Sequence, residues 1–267
     1  MCKQTIYKAQ CNGNDFILLL SEDLNIEINE LEIQKLCHRE NGIGADGLIF
    51  IDTSNDTHDF KMDYYNCDGS WETMCANGAL CCVQLLQSRG YLFQSFSFLA
   101  GDGEHQINII NDKISITMKD PSSVTQEMDI QGLSGRHIDS GAKHFVAFYN
   151  ERDSDILFNK AQLIRYDDAF QPLGLNVNFV SIKSDSHIDV VTYEKGIEKI
   201  MLSCGSGSVA AAFYTSLHKK IVSPLCISNR GGDMILEFNE EWTRLWLTSN
   251  PVIEFTSSVD LDLINLN

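Results

Sequence analysis

The chain has 267 residues, 43% of them hydrophobic, which suffices for one large domain or two ordinary ones with real cores and excludes a disordered chain. Its formal net charge of −17 and isoelectric point near 4.6 exclude the basic face that nucleic acid or an anionic membrane would need. Nine cysteines, an odd number with Cys81 and Cys82 adjacent, make poor material for a disulfide framework, and with no Cys-x-x-Cys or His-x-x-x-His spacing no metal site is expected.

Lys8 to Leu20 opens on a turn-rich cluster, Ala9-Gln10-Cys11-Asn12-Gly13-Asn14-Asp15, and runs into Phe16 to Leu20, short and apolar enough for a buried strand. Asn and Asp in such a cluster serve equally as turn-closing residues or as ligands. Asn29 to Arg39, with Leu31, Ile33, Leu36 and Cys37 among polar residues, predicts an amphipathic helix capped by Asn29. Gly42-Ile43-Gly44-Ala45-Asp46-Gly47 then forms a tight loop before the strand Leu48 to Ile51. It follows a helix, so it is a poor dinucleotide fingerprint. Phe60 to Tyr65 alternates as a strand and leads through Asn66 to a cysteine motif. Phe96 to Leu99, Gln106 to Ile110 and Ile114 to Met118 read as further strands, the last two joined as a hairpin through Asn111-Asp112-Lys113. At Asp120-Pro121-Ser122-Ser123 the pattern lapses into turn residues. The expected halves are therefore 1–119 and 120–251, with 252–267 packing back onto the first.

The second half repeats the plan. Asp139-Ser140-Gly141-Ala142-Lys143-His144 precedes an apolar strand, Phe145 to Phe148, and Asn176 to Ile182 with Ile188 to Tyr193 reads as a strand pair across Ser184-Asp185-Ser186. Glu194-Lys195-Gly196 follows, shortly before a second cysteine motif. Strands at Met234 to Phe238 and Arg244 to Thr248 come after Gly231-Gly232-Asp233.

The two motifs are Met74-Cys75-Ala76-Asn77-Gly78-Ala79 and Ser203-Cys204-Gly205-Ser206-Gly207-Ser208, almost half the chain length apart. Each is a cysteine, small or polar residues with glycine, then a helix-forming run, from Ala79 to Gln87 and from Val209 to Lys219. A cysteine in apolar sequence is most often a buried core residue, but the repeated context favours two similar halves that each supply one thiol. At a helix N-terminus the free N–H groups and positive dipole end should lower a thiol's pKa and bind a carboxylate. Two such thiols facing one another could take a proton from one face of a tetrahedral carbon and return it to the other, inverting its configuration.

At these residues the sequence resembles the diaminopimelate epimerase family, which works without a cofactor and takes one cysteine from each of two similar domains. The likeness runs through Gly13-Asn14-Asp15-Phe16, Gly42 to Gly47, Asn66-x-Asp68-Gly69, Met74-Cys75-x-Asn77-Gly78, Gly141-x-x-His144, Asn176, Glu194-x-Gly196, Cys204 to Gly207 and Gly231-Gly232. It implies an α+β fold of two similar domains, each a mixed or antiparallel curved sheet around a central helix, with the active site in the cleft between them. Cys75 and Cys204 would be the acid/base thiols, tuned by His144 and Glu194. Asn14, Asn77 and the backbone at Ala76, Gly205 and Ser206 would surround the reacting amino acid, and Asn66, Asn176, Glu194 and Lys195 would hold its distal end. The activity implied is interconversion of LL- and meso-diaminopimelate, a step of lysine and peptidoglycan-precursor biosynthesis, by a cytoplasmic homodimer that uses no cofactor or metal and takes neither nucleic acid nor membrane as partner. The N-terminus lacks an apolar signal region and no run approaches a membrane span, which also fits the cytoplasm. The sequence departs from the family pattern at Lys195 (commonly Arg), Ile200-Met201 (commonly Glu-Thr), Ala142-Lys143 (commonly Asn-Pro or Ser-Pro), Ala76 and Leu80. The thiol turns are kept and the substrate-reading residues altered. The alternatives are a racemase of another amino acid on the same scaffold and a non-catalytic binding or redox-responsive relative.

Overall fold

The computed structural model describes residues 3–24, 28–54 and 57–260. The chain forms two compact units, one of Met1–Ile116 with Ser249–Asn267 and one of Thr117–Thr248.

The first unit opens with β1 (Lys3–Cys11) and β2 (Asn14–Leu20), an antiparallel hairpin in which Cys11 faces Asn14. Its loop is only Asn12-Gly13, both at positive φ (51° and 77°), the two-residue turn that matches strand twist. The turn-rich cluster expected over residues 9–15 is thus mostly strand, because a two-residue loop lets pairing continue on both sides. A short 3-10 turn (Ser21–Asp23) follows, and then α1 (Glu30–Cys37), whose N-cap Asn29 accepts from Leu31 and Glu32 while Glu32 bonds back to it. β3 (Gly47–Asp52) runs parallel to β2, and β4 (Phe60–Asn66) antiparallel to β3, with the two-residue β5 (Trp71–Glu72) on its far side. After α2 (Ala76–Ser88) come β6 (Ser97–Ala100), parallel to β4, and the antiparallel β7 (Gly103–Ile110) and β8 (Lys113–Thr117). The β7–β8 loop places Asn111 and Asp112 at positive φ, the same tight-hairpin solution.

The second unit repeats this order. Short strands β9 (Ser122–Ser123) and β10 (Met128–Ile130) flank β11 (Leu133–Asp139), which pairs antiparallel with β12 (Lys143–Phe148). His144 therefore lies inside β12, one residue from its start, and not ahead of the strand as expected. α3 (Ser154–Arg165) crosses to β13 (Asn176–Ser184), parallel to β12, after a 3-10 turn at Asp168–Phe170. β14 (His187–Glu194) is antiparallel to β13 and carries the two-residue β15 (Lys199–Ile200). α4 (Gly205–His218) leads to β16 (Leu225–Asn229), parallel to β14, and then the antiparallel β17 (Gly232–Phe238) and β18 (Leu245–Ser249). The chain returns to the first unit as β19 (Pro251–Asp260), antiparallel to β1; residues 261–267 lie outside the described residues.

In each unit the pairings thus run antiparallel, parallel across an amphipathic helix, antiparallel, parallel across a cysteine-led helix, then antiparallel twice. Each parallel step needs a helical crossover, which is why each unit has two helices. β2 is buried almost throughout because both its faces are covered: Ile17 and Leu19 pack with Ile33 and Leu36 of α1, while α2 packs on the other side. In the second unit Leu157, Ala161 and Ile164 of α3 pack on Phe145, Ala147, Val177 and Phe179. The sequence reading had passed over α3, although Asp153 caps it and those three residues keep helical spacing. α2 and α4 differ from α1 and α3. They are apolar nearly all round and form the centres of their units.

Candidate active site

Both central helices begin where the cysteine sits. Cys75 (φ −132°, ψ 115°) and Cys204 (φ −146°, ψ 118°) are the N-caps of α2 and α4, in the same extended conformation, so the helices start three to four residues earlier than sequence composition suggested. Small residues permit this: Ala76, Gly78, Gly205 and Gly207 are all buried, a Cβ on Gly78 would stand 2.4 Å from Ile49 Cδ1, and one on Gly207 would stand 2.7 Å from Asn178 Oδ1. A bulkier residue would push each helix N-terminus off its sheet.

In the first unit Cys75 and Asn77 converge on Asn14. Asn77 Nδ2 donates to Asn14 Oδ1 at 3.2 Å, and the Cys75 thiol donates to the same oxygen at 3.8 Å. The other end of Asn14, Nδ2, donates to Asp46 Oδ2 at 2.8 Å. A carboxylate only accepts, so Asp46 sets which end of the Asn14 amide faces the thiol. Asp46 in turn takes a hydrogen bond from Arg39 (2.7 Å), which also clamps Asp15 through both nitrogens (2.8 and 2.7 Å), and Lys8 reaches Asp15 and the Gly44 carbonyl from below. Burial alone would raise the Asp15 carboxyl, but the bonds from Arg39 and Lys8 outweigh it and hold it below the ordinary value. Asn66 is held elsewhere, accepting from Tyr64 at 2.7 Å and donating toward Ser70 and Glu72.

The second unit builds the corresponding arrangement from different residues. Cys204 Sγ accepts the Gly207 N–H at 3.4 Å and lies 3.5 Å from Ser206 Oγ, which is 3.1 Å from His144 Nε2. His144 Nδ1 meets Asn178 Nδ2 at 2.7 Å, and Asn178 Oδ1 accepts from Thr192 at 2.7 Å. Ser140 Oγ donates to the Ser206 carbonyl at 2.8 Å, fixing the turn from outside. His144 is fully buried, which pushes its pKa down to about 3 with some help from His137, so it is neutral. It reaches Cys204 only through Ser206. Asn176 Oδ1 accepts the Lys195 N–H at 2.8 Å and so ties the start of β13 to the Glu194-Lys195 turn.

The expectation of lowered thiol pKa values fails at Cys204. Although the residue is partly accessible, desolvation is the largest influence on its thiol, and the Glu194 carboxylate adds to it. Together they push it up to about 12, against the hydrogen bonds from Ser206 and the Gly207 N–H. The helix-end N–H groups are present, but burial and the Glu194 carboxylate outweigh them. Alkylation of Cys204 in the ligand-free protein should therefore keep rising with pH past the ordinary thiol value of about 8.5. Peptide mapping after iodoacetamide treatment checks this, and a plateau at or below that pH would refute it.

The sequence reading had given site roles to the thiols and their first neighbours but none to Asp46, Arg39, Lys8, Asn178, Thr192 or Ser140. Asn178 and Thr192 did leave a trace. Each interrupts an apolar strand run, Val177-Asn178-Phe179 and Val191-Thr192-Tyr193, and they face each other in register.

The sequence pattern of the diaminopimelate epimerase family matches residues 6–125 and 136–252. The chain belongs to the diaminopimelate epimerase family. The diaminopimelate epimerase of Flavobacterium psychrophilum is 36% identical over 263 residues, 95% of this chain and 99% of that one. That of Aquifex aeolicus is 32% identical over 260 residues, 91% and 93% of the two chains. Among solved structures, a hydroxyproline epimerase from Agrobacterium vitis superposes with a TM-score of 0.73 at 10% identity, covering 96% of this chain and 92% of that one. A phenazine biosynthesis protein of the PhzF family from Bacillus anthracis gives 0.67 at 14% identity, covering 97% and 99%. At such identities these two show the fold, an α+β fold of two similar sheet-dominated domains. The spans matched by the diaminopimelate epimerase pattern take in Cys75 and Cys204 with Asn14, Asn66, His144, Asn176 and Glu194.

Proposed function

We propose that the chain is an isomerase that interconverts LL- and meso-diaminopimelate, with Cys75 and Cys204 acting on one α-carbon from opposite faces. The observation that carries this reading is the pair of cysteine N-caps, one at the head of the buried central helix of each topologically matching unit. The α-proton of an amino acid is very weakly acidic. Charge moves into the carboxylate as the proton leaves, so donors held in place at that carboxylate lower the barrier most. The N–H groups of Ala76 and Asn77 and of Gly205 and Ser206, at two helix N-termini, are suited to that task. One thiol must be ionised while the other is protonated, so the pair titrates as a unit.

Asn14 and Asn77 are assigned to the reacting end of the substrate, and Asn66, Asn176, Glu194 and Lys195 to the distal ammonium and carboxylate. The chemistry asks for two thiols and hydrogen-bond donors and for no cofactor. We further infer a homodimer acting in the cytoplasm; sedimentation of the purified protein tests the first. No helix among the described residues is long and apolar enough to cross a membrane.

The assignment is tested by kcat/KM for LL-diaminopimelate against alanine, lysine, glutamate and histidine. Diaminopimelate should be preferred by a wide margin, and preference for a monocarboxylate would transfer the assignment to a racemase of that amino acid. Lys195, exposed on the turn after Glu194, offers a point charge where an Arg would offer a two-pronged fork. Lys195→Arg should lower KM for diaminopimelate. Lys195→Ala should raise it by roughly tenfold or more, the cost of leaving a carboxylate without its charged partner, with a smaller effect on any monocarboxylate.

A further inference from the structure

The polar chain behind Cys204 has one member that can set its direction. Hydroxyls rotate and a neutral imidazole can carry its proton on either nitrogen, so Thr192, Ser206 and His144 can each donate or accept along the line. Asn178 is different, because its amide has one end that only accepts and one that only donates. Its Oδ1 is taken by Thr192 Oγ1 and its Nδ2 points to His144 Nδ1, each at 2.7 Å. His144 Nδ1 is then an acceptor, and the neutral ring carries its proton on Nε2. Nε2–H is directed at Ser206 Oγ, 3.1 Å away, which leaves the serine's own proton for Cys204 Sγ at 3.5 Å. The serine O–H then joins the backbone N–H groups of Ser206 and Gly207 as donors at the sulfur.

We propose that Asn178 is a positioning residue which, through His144 and Ser206, fixes the direction of the hydrogen bond that the Cys204 sulfur receives. This rests on the reading of Cys204 as one of the two proton-transferring thiols. Asn178 and His144 are fully buried and Thr192 is 2% exposed, so no water competes for these bonds. Asn178 belongs to β13 and Thr192 to β14, directly opposite in register, on strands against which α4 packs. Gly207 completes the fit, since a Cβ there would lie 2.7 Å from Asn178 Oδ1 and 2.9 Å from Thr192 Oγ1. The other charged or titratable groups facing the line are Glu194 of β14, which opposes a thiolate at Cys204, and His137 of β11, which opposes protonation of His144. Both ring nitrogens of His144 are already engaged, Nδ1 by Asn178 and Nε2 by Ser206.

The test reads the imidazole directly. Nitrogen-15 spectra of the wild-type protein, with the His144 signals assigned by their loss in His144→Gln, should show a neutral ring protonated on Nε2 from about pH 6 to 8, the range in which an unperturbed histidine would titrate. Asn178→Asp keeps the shape but offers only acceptors, so the proton should move to Nδ1. Ser206 then donates to Nε2 and no longer to sulfur, and alkylation of Cys204 at fixed pH should slow by about tenfold, the loss of one hydrogen bond to an anion. The added charge at position 178 could slow alkylation by itself, and a cycle with Ser206→Ala separates the two. Through the relay, Asn178→Asp should have little further effect once the serine hydroxyl is gone. Wild-type His144 protonated on Nδ1, an unchanged tautomer in Asn178→Asp, or full slowing in the Ser206→Ala background would each overturn the proposal. None of these readings needs turnover, so failure of the epimerase assignment would be seen separately.

Discussion

Cys75→Ser and Cys204→Ser are each expected to lower kcat/KM for epimerisation by about 10²- to 10⁴-fold, the range that a positioned acid or base supplies. A serine hydroxyl is far less acidic than a thiol and cannot serve as the base at neutral pH. Loss of either residue should therefore be felt in both directions of the reaction, because each direction uses one group as base and the other as acid. The fold should tolerate both changes. Serine is a preferred N-cap, and at Cys204 the side chain already accepts the Gly207 N–H, a bond that a hydroxyl can also take. Near-normal epimerisation by either variant, checked by chromatographic separation of the stereoisomers, would remove the two-thiol scheme.

Gly207→Ala should lower both stability and activity, because it strikes the packing around Cys204 directly. A Cβ at this position would meet Asn178 Oδ1 at 2.7 Å, Thr192 Oγ1 at 2.9 Å and Cys204 Sγ at 3.3 Å. None of these is the free end of a long side chain. Asn178 and Thr192 are bonded to each other across two central strands, and Cys204 begins the helix. Overpacking of this kind costs about 1–3 kcal/mol. In a protein of this size that lowers Tm by several degrees, at about 2–4 °C per kcal/mol. Activity should fall further than stability, by roughly 10- to 100-fold, because displacement of Cys204 also misplaces its sulfur relative to the reacting carbon. Calorimetry and kinetics on the same preparation check both parts. A variant with unchanged Tm and kcat would show that the alanine is accommodated and that the packing around Cys204 is looser than described.

What could be read from the sequence followed from how local each signal is. Cys75 and Cys204 announce themselves because a helix N-cap with small residues behind it is a contiguous pattern, and so do the capped helix at Asn29 and the hairpin at Asn111-Asp112. β19 was missed because its partner β1 is remote in the chain and polar residues dominate its exposed positions, and β1 because its end, Ala9 to Cys11, was read as part of the turn-rich cluster. The Asn12-Gly13 loop was read too long, since the Asn and Asp beside it look like turn formers and are in fact strand residues held by Asp46 and Arg39. The direction of the Cys204 pKa shift was also misread. Helix-end donors are visible in sequence, whereas the enclosure of the thiol and the proximity of Glu194 come from packing that no short window contains. Asp46, Asn178 and Thr192 act through contacts 14 to 34 residues away along the chain, which the strand pattern hints at but does not identify.

The most direct test of two thiols working on one carbon is the early time course of deuterium uptake from D₂O with LL-diaminopimelate as substrate. The thiolate that removes the α-proton then holds only that proton and can return only it to the same face, whereas the opposite thiol delivers a solvent-derived deuteron. The meso product should therefore carry one solvent deuteron at the epimerised carbon from the first turnover. Recovered LL substrate should remain undeuterated until product builds up. Deuterium entering the LL substrate as fast as it enters product, or product formed without deuterium, would contradict action of Cys75 and Cys204 from opposite faces.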